Sequence, residues 1–159
     1  MHKLVLLCFC LLPLLACKKD NPIEPMEEEE NPKTTVVVEE VSVSGTENSY
    51  TFSVTLSSPD TGCDQYADWW EVLDEEGELL YRRVLGHSHV TEQPFTRSGG
   101  SVPISKDDIV IIRGHMNNSG YSQDVMEGSV SSGFSKKVRS VEFGQAVETQ
   151  EPLPSNCAF

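Results

Sequence analysis

The sequence predicts an all-β domain, a two-sheet antiparallel sandwich of about seven strands with immunoglobulin-like architecture. Residues 50–56 alternate apolar and polar side chains with a period of two, which is typical of a strand with one buried face. Other strand-like segments are equally short and are separated by turn residues, and no segment shows the periodicity of an amphipathic helix. Trp70 is expected to be the interior aromatic residue of this sandwich.

Two further elements follow from local patterns before and after this strand. Residues 36–43 are rich in β-branched side chains, and their alternation changes phase at Glu39 and Glu40, which predicts an edge strand with a bulge. Residues 69–73 and 78–85 flank an acidic turn that closes on a glycine, which predicts a β-hairpin.

The second half of the chain gives less regular signals. Residues 109–112 are apolar on both faces and therefore predict a central strand. A last strand is expected over residues 136–143. The stretches 96–102 and 128–135 are rich in glycine and serine and are expected to be loops.

The N-terminus has the composition of an export leader. Residues 1–3 are basic and residues 4–16 form an apolar run, which has the length of a signal-peptide core but is too short to cross a bilayer. The run ends Leu14-Leu15-Ala16-Cys17, which resembles the lipobox of bacterial lipoproteins. The resemblance implies that residues 1–16 are removed and that Cys17 carries lipid. The alternative is an ordinary secretory signal in which Cys17 is incidental.

Residues 17–33 are expected to form an acidic, disordered tether ahead of a folded domain that covers residues 34–159. Prolines and the run Glu27 to Glu30 keep such a segment extended and prevent it from forming a core. With the lipid on Cys17, this organisation predicts a protein anchored in the outer membrane of the cell envelope. The periplasmic and the cell-surface face both remain open.

The cysteines support export. Cys8 and Cys10 belong to the leader and Cys17 would take the lipid, so Cys63 and Cys157 remain as an even pair in an oxidising compartment. We expect them to form a disulfide that pins the C-terminal tail to the loop before the tryptophan strand. The alternative is two unpaired thiols.

Charge and the lack of known motifs limit the function. The 25 acidic and 12 basic residues give a formal net charge of −13, which disfavours contact with nucleic acid phosphates. Membrane contact is instead expected through the Cys17 lipid. The sequence contains no Gly-x-Ser-x-Gly, no His-Glu-x-x-His and no phosphate-binding glycine loop. The preferred interpretation is therefore a non-catalytic binding or accessory module without a cofactor.

A copper or zinc protein is the alternative function. His87 and His89 are two residues apart, so in a strand their imidazoles point to the same side, and His115 follows the predicted central strand. Three imidazoles with the Met116 thioether would suit copper, whereas three imidazoles with a carboxylate such as Glu92 would suit zinc. The competing interpretation is that these are ordinary loop histidines.

A ligand platform is a further hypothesis. Trp69 and Trp70 are adjacent in a strand and must face opposite sides, so Trp69 is expected outside, beside Tyr66 or Tyr81. An exposed tryptophan could stack on a glycan or contact a protein ligand. The alternative is that the loop at residues 91–104 covers it.

Charged side chains give weaker hypotheses. Arg82, Arg83 and Arg97 could recognise a ligand carboxylate, or they could cover the sheet with their aliphatic stems. The acidic residues near Cys63 lack the spacing of a known calcium loop, and a solvated acidic rim is expected there.

Overall fold

Two antiparallel sheets pack against each other across an apolar core in the computed structural model, which describes residues 35–158. The leader, Cys17 and the tether lie outside the described residues. The strands in chain order are β1 (Val37–Thr46), β2 (Ser49–Ser57), β3 (Ala67–Leu73), β4 (Leu79–Val84), β5 (Phe95–Val102), β6 (Val110–Met116), β7 (Gly120–Tyr121), β8 (Asp124–Ser129) and β9 (Gly133–Val138). The predicted all-β sandwich is confirmed, with nine strands in this range where about seven were expected.

The small sheet has the order β1-β2-β5, and the large sheet has the order β4-β3-β6-β8-β9 with β7 added beside β6. The predicted alternating strand is β2, which lies at the centre of the small sheet. The predicted two-faced apolar strand is β6, which has β3 and β8 as neighbours and is buried along its whole length. Both of these predictions are confirmed.

The main core lies between the sheets. Phe52 and Val54 of β2 face Trp70 and Ile112 of the large sheet, and all four are fully buried. Gly114 of β6 also lies on this face, where an added Cβ would be 2.7 Å from the side chain of Val36. The missing side chain therefore makes room for the segment that leads into β1.

The edge strand β1 contains the predicted bulge. Its register against β2 shifts between Val38 and Glu40, at the point where the sequence alternation changes phase. The shift lets the inward positions remain apolar on both sides of the bulge, with Val38 before it and Val41 after it, and keeps the glutamates out of the core. The predicted hairpin is also present, as β3 and β4 with Gly77 in the left-handed region (φ 87°) of the turn between them.

The predicted loop at residues 96–102 is wrong, because this segment is strand β5. Its outward hydroxyls pair with β2, with Thr55–Thr96 at 2.8 Å and Ser53–Ser98 at 2.6 Å between oxygens. On the other face, an added Cβ at Gly99 would lie 2.5 Å from the Tyr81 hydroxyl, so the glycine accommodates an aromatic ring from β4. A glycine required by packing thus looked like a glycine required by a turn.

The end of the sandwich also departs from the prediction. Residues 128–135 are not a loop: they contain the end of β8, a three-residue connection at 130–132 and the start of β9. The expected last strand therefore begins earlier, at Gly133, and ends at Val138. The chain then crosses the outer face of the large sheet and forms a short 3-10 helix, Gln145–Thr149. Val147 of this helix packs in a second apolar cluster with Leu73 and Ile111.

The expected disulfide is present. Cys63, in the loop before β3, is bonded to Cys157, and their Cα atoms are 5.7 Å apart. Next to it, the Ala158 amide donates to the Gly86 carbonyl at 2.9 Å. The C-terminal segment is therefore tied down at its far end, as the sequence predicted.

We expect the double variant Cys63→Ala/Cys157→Ala to lose stability. The bond closes a loop of 94 residues, for which the chain-entropy model gives a contribution of about 4 to 5 kcal/mol. Urea unfolding followed by tryptophan fluorescence measures the free energy of unfolding. Wild type treated with a reductant is the matched control, and it should fall to the value of the double variant. An unchanged urea midpoint in both samples would contradict the prediction.

Candidate functional site

Three potential metal-binding side chains meet in the connection between β4 and β5. The donor atoms of His87, His89 and Glu92 all lie within 4.8 Å of one another. His87 and Glu92 are exposed, whereas His89 is only 2% exposed. The two imidazoles are on the same side, as predicted, with ring centroids 4.3 Å apart. They achieve this in an irregular segment, in which His87 makes one isolated bridge to Ala158.

His89 is held by contacts that leave its ring nitrogens unused. Its backbone N–H donates to Oδ2 of Asp60 at 2.8 Å, and its ring stacks on Phe95 with centroids 3.7 Å apart. Neither ring nitrogen has a hydrogen-bond partner, and Nδ1 is 3.9 Å from Asp60 Oδ2. Burial lowers the pKa of His89 to about 4, with smaller contributions from the charges of His87 and Arg97. The imidazole is therefore neutral at pH 7.

Asp60 joins the two loops at this end of the sandwich. Its Oδ1 accepts hydrogen bonds from the Ser58 hydroxyl at 2.6 Å and from the Ala67 N–H at 3.0 Å, while Oδ2 accepts from His89. Because the carboxylate is buried and accepts its hydrogen bonds from groups of the protein, Asp60 is not part of a solvated acidic rim. It positions His89 relative to the start of β3.

Glu92 is paired with Arg97. The guanidinium donates twice, from Nη2 to Oε2 at 2.8 Å and from Nη1 to Oε1 at 3.3 Å. The hydrogen bond from Arg97 lowers the pKa of Glu92. Arg97, a candidate receptor for a ligand carboxylate, therefore binds a carboxylate of the protein itself.

His115 does not join this cluster, so the predicted three-imidazole site is wrong. Its position in β6 turns the side chain to the outer face of the large sheet, where Nδ1 is 2.6 Å from Asp68 Oδ1. Its ring stacks on Trp69 with centroids 3.6 Å apart, and Nε2 is 3.5 Å from Glu148 Oε1. The next residue, Met116, points into the main core, so its thioether is available neither to the His87 cluster nor to His115.

The predicted aromatic platform is also wrong. Trp69 does face away from Trp70, but it is only 4% exposed, since His115 and Arg82 cover it on the outer face of the sheet. Tyr66 is buried as well. Tyr81 faces the interior, with its ring 5.7 Å from that of Trp70. The alternative of a covered Trp69 is therefore the correct one, although the cover differs from the expected loop.

A buried ionic cluster lies beside Trp69. Glu71 accepts from Arg82 Nε at 2.8 Å on one carboxylate oxygen and from Arg113 Nε at 2.8 Å on the other. All three residues are at most 4% exposed. The two guanidiniums also donate to backbone carbonyls of the C-terminal segment, namely those of Phe143, Gly144, Val147 and Gln150. Arg82 is therefore engaged within the fold and does not serve as an external carboxylate receptor.

The opposite end of the sandwich holds a cleft of about 310 Å³ between the β3–β4 turn and the β5–β6 connection. Its lining combines apolar residues such as Ile104 with the carboxylates of Asp74 and Asp108. Asp74 Oδ1 accepts from the N–H groups of Glu76 and Glu78, and Asp108 accepts from that of Ser105. These carboxylates support the turns that form the cleft.

Sequence reasoning missed Glu71, Arg113, Asp68 and the role of Asp60. A usable signal existed for the first two, because Glu71 is the single charge of the predicted strand 69–73 and Arg113 is a charge of opposite sign that directly follows the apolar run 109–112. They are direct neighbours across β3 and β6, and Arg82 is the neighbour of Glu71 on the other side. Asp60 gave no comparable signal, since its partners depend on how the loops fold together, and the pairing of Asp68 with His115 depends on a register shift between β3 and β6 at this point.

Comparison with known proteins gives one informative similarity. No protein-family model and no solved structure matches the chain. A protein of Halomicrobium mukohataei named "Putative lipoprotein" is 42% identical over 88 residues, which is 55% of this chain and 43% of that protein. The chain thus spans less than half the length of this relative. Within residues 35–158, no helix is long and apolar enough to cross a membrane.

We expect Glu71→Gln to destabilise the domain by about 3 kcal/mol or more, because it leaves two buried guanidiniums without a counter-charge. The free energy of unfolding from urea titrations in the presence of a chelator tests this. Glu92→Gln is the matched control, since it makes the same chemical change in an exposed arginine pair, where a much smaller effect is expected. Equal effects of the two variants would refute the buried-charge argument.

We expect His115→Phe to raise the pKa of Asp68. Burial already raises this pKa, and the hydrogen bond and charge of His115 lower it part of the way back. A raised folded-state pKa favours folding at acid pH, and this contribution is lost as pH rises through the folded pKa. The variant should therefore lose more stability at pH 7 than at pH 3.5. Carboxyl ¹³C NMR measures the pKa, and the double variant Asp68→Asn/His115→Phe should lack the added pH dependence. An Asp68 titration identical to that of wild type would contradict the prediction.

Proposed function

We propose that this protein is a lipid-anchored lipoprotein of the cell envelope and acts as a non-catalytic binding or accessory module. The observation that carries the proposal is the sequence Leu14-Leu15-Ala16-Cys17 at the end of an apolar leader. The name of the Halomicrobium mukohataei relative also supports it. Several acyl chains on one cysteine would hold the protein firmly, whereas a single chain binds membranes only marginally.

The disulfide supports export. Bonds of this kind persist in oxidising compartments and are rare in the cytosol. Cys63 and Cys157 are the two cysteines that remain after the leader is removed and Cys17 is modified, and they are paired. The cysteine usage of the chain thus agrees with a folded domain outside the cytoplasmic membrane.

The topology supports a proposal for how the domain is presented. The chain reaches β1 at the end of the sandwich where Val37 pairs with Ser57, which is also the end of the disulfide and the histidine cluster. Residues 18–34, if extended, span up to roughly 60 Å. The acidic cleft is at the opposite end, so its negative charge lies away from the anchor. We propose that this far end is presented to partners and that the anchor is in the outer membrane.

A protein partner fits the surface better than a glycan does. Stacking on a sugar ring needs an exposed aromatic face, and both tryptophans are buried. The exposed large apolar side chains within residues 35–158 are Val90, Val138 and Val141. Single exposed valines are ordinary on a protein surface, so the preference for a protein partner rests on the burial of both tryptophans.

An enzyme is the competing class. Its best acid–base candidate is His115, which lies between the carboxylates of Asp68 and Glu148. This arrangement places a carboxylate, and not a hydroxyl or thiol nucleophile, beside Nε2. The ring is also covered by Trp69 and Tyr121. A role in packing the outer face accounts for these contacts and supports the non-catalytic proposal.

We expect cells that express the wild-type chain to incorporate labelled palmitate into it, and Cys17→Ser to abolish the label. Cys10→Ser is the matched control, because it changes a cysteine of the leader and should leave labelling unchanged. Fractionation should place the labelled protein with outer membranes, and protease treatment of intact cells distinguishes the two faces. Persistent labelling of Cys17→Ser, or an unlabelled wild type, would overturn the proposal.

A further inference from the structure

His89 is an unusual residue for the interior of this domain. Its side chain is buried against Phe95, yet both ring nitrogens lack hydrogen bonds. A buried polar group without a partner costs about 1 to 3 kcal/mol, and in native proteins such groups are uncommon. The donor atoms of two further side chains, His87 and Glu92, lie within 4.8 Å of each other and of this ring.

We propose that His87, His89 and Glu92 form a binding site for a divalent transition-metal ion, and that this ion is zinc. Two imidazole nitrogens and one carboxylate oxygen are a donor set that zinc uses when it keeps one coordination position open. The site does not depend on the lipid anchor. It is formed by residues of the folded domain, and its test is separate from that of Cys17.

The distances fit a site that closes around an ion. Ligand atoms about 2.1 Å from a tetrahedral zinc are about 3.4 Å from one another. The three donors therefore need to approach each other by little more than 1 Å from their largest separation of 4.8 Å. His87 and Glu92 are exposed, and Glu92 must loosen its pairing with Arg97 to make this movement, whereas the packed ring of His89 is the fixed point.

Asp60 supplies the outer contact that such a site needs. Metal-bound histidines commonly donate the other ring N–H to a carboxylate or a carbonyl. Oδ2 of Asp60 is 3.9 Å from Nδ1 of His89 and already accepts the backbone N–H of the same residue. We assign Nε2 of His89 as the metal ligand and Nδ1 as the nitrogen that faces Asp60.

Arg97 competes with the metal for Glu92. Its guanidinium donates to both carboxylate oxygens, and its positive charge lies beside the position of the cation. Binding of zinc must release or share one of these oxygens and act against the repulsion from Arg97. Arg97 therefore sets the affinity of the site, and its removal should strengthen binding. A purely structural role for the histidines predicts no such gain.

The experiment is a calorimetric titration of the full chain, purified in mild detergent and stripped with a chelator, with Zn(II) alone as the probe. We expect saturable binding of one ion. Glu92→Gln should weaken binding roughly tenfold, and His89→Phe, which keeps the stacked ring, should weaken it further. Arg97→Gln should tighten it severalfold. Cobalt(II) in place of zinc reports the coordination through its visible absorption.

His115→Phe is the matched control, because it removes a buried, aromatic-stacked histidine outside the cluster. Its zinc affinity should equal that of wild type. The proposal is overturned if wild type binds no more tightly than His89→Phe, or if His115→Phe weakens binding as much as His89→Phe does. It is also overturned if Glu92→Gln and Arg97→Gln both leave the affinity unchanged. The last two variants change exposed or half-exposed side chains, so they test the site even if His89→Phe does not fold.

Discussion

The buried carboxylate of Glu71 is the interaction on which the outer layer of this domain depends. One carboxylate cannot neutralise two guanidiniums, so Arg82 and Arg113 need further acceptors away from water. The backbone carbonyls around the 3-10 helix provide them. The cluster and the C-terminal segment therefore require each other: without the segment the arginines would lack acceptors, and without the arginines those carbonyls would lose their donors.

This dependence explains why the large sheet is buried on both faces, although its outer face carries the charged cluster as well as apolar side chains. The small sheet covers one face, and the C-terminal segment covers the other with Val147 against Leu73 and Ile111. An antiparallel sheet usually leaves one face to water, and here the tail replaces the water. The disulfide fixes the C-terminal segment at Cys157, so the ionic cluster and the covalent bond hold the same segment at two points.

Features encoded by neighbouring residues could be predicted from the sequence, and features that depend on sheet geometry could not. The alternation in β2, the bulge of β1 and the shared side of His87 and His89 are local. By contrast, the glycines of β5 predicted a loop, whereas Gly99 is needed to leave space for the ring of Tyr81 on strand β4. The His115 error has the same origin, since its partners Trp69 and Asp68 lie on the neighbouring strand β3 and Glu148 lies in the C-terminal segment. The pairing of Cys63 with Cys157 was an exception, because counting cysteines needed no geometry.

The two buried histidines show how satisfaction of polar atoms separates structure from function. Both stack on an aromatic ring, His89 on Phe95 and His115 on Trp69. His115 has its Nδ1 in a hydrogen bond with Asp68, and its Nε2, which makes no hydrogen bond, lies 3.5 Å from the Glu148 carboxylate of the C-terminal segment. The ring of His89 contributes no hydrogen bond to the fold, although Asp60 fixes its backbone. A phenylalanine would pack equally well at this position. The two ring nitrogens without hydrogen bonds, and not the burial, are therefore the reason to propose His89 as a metal ligand.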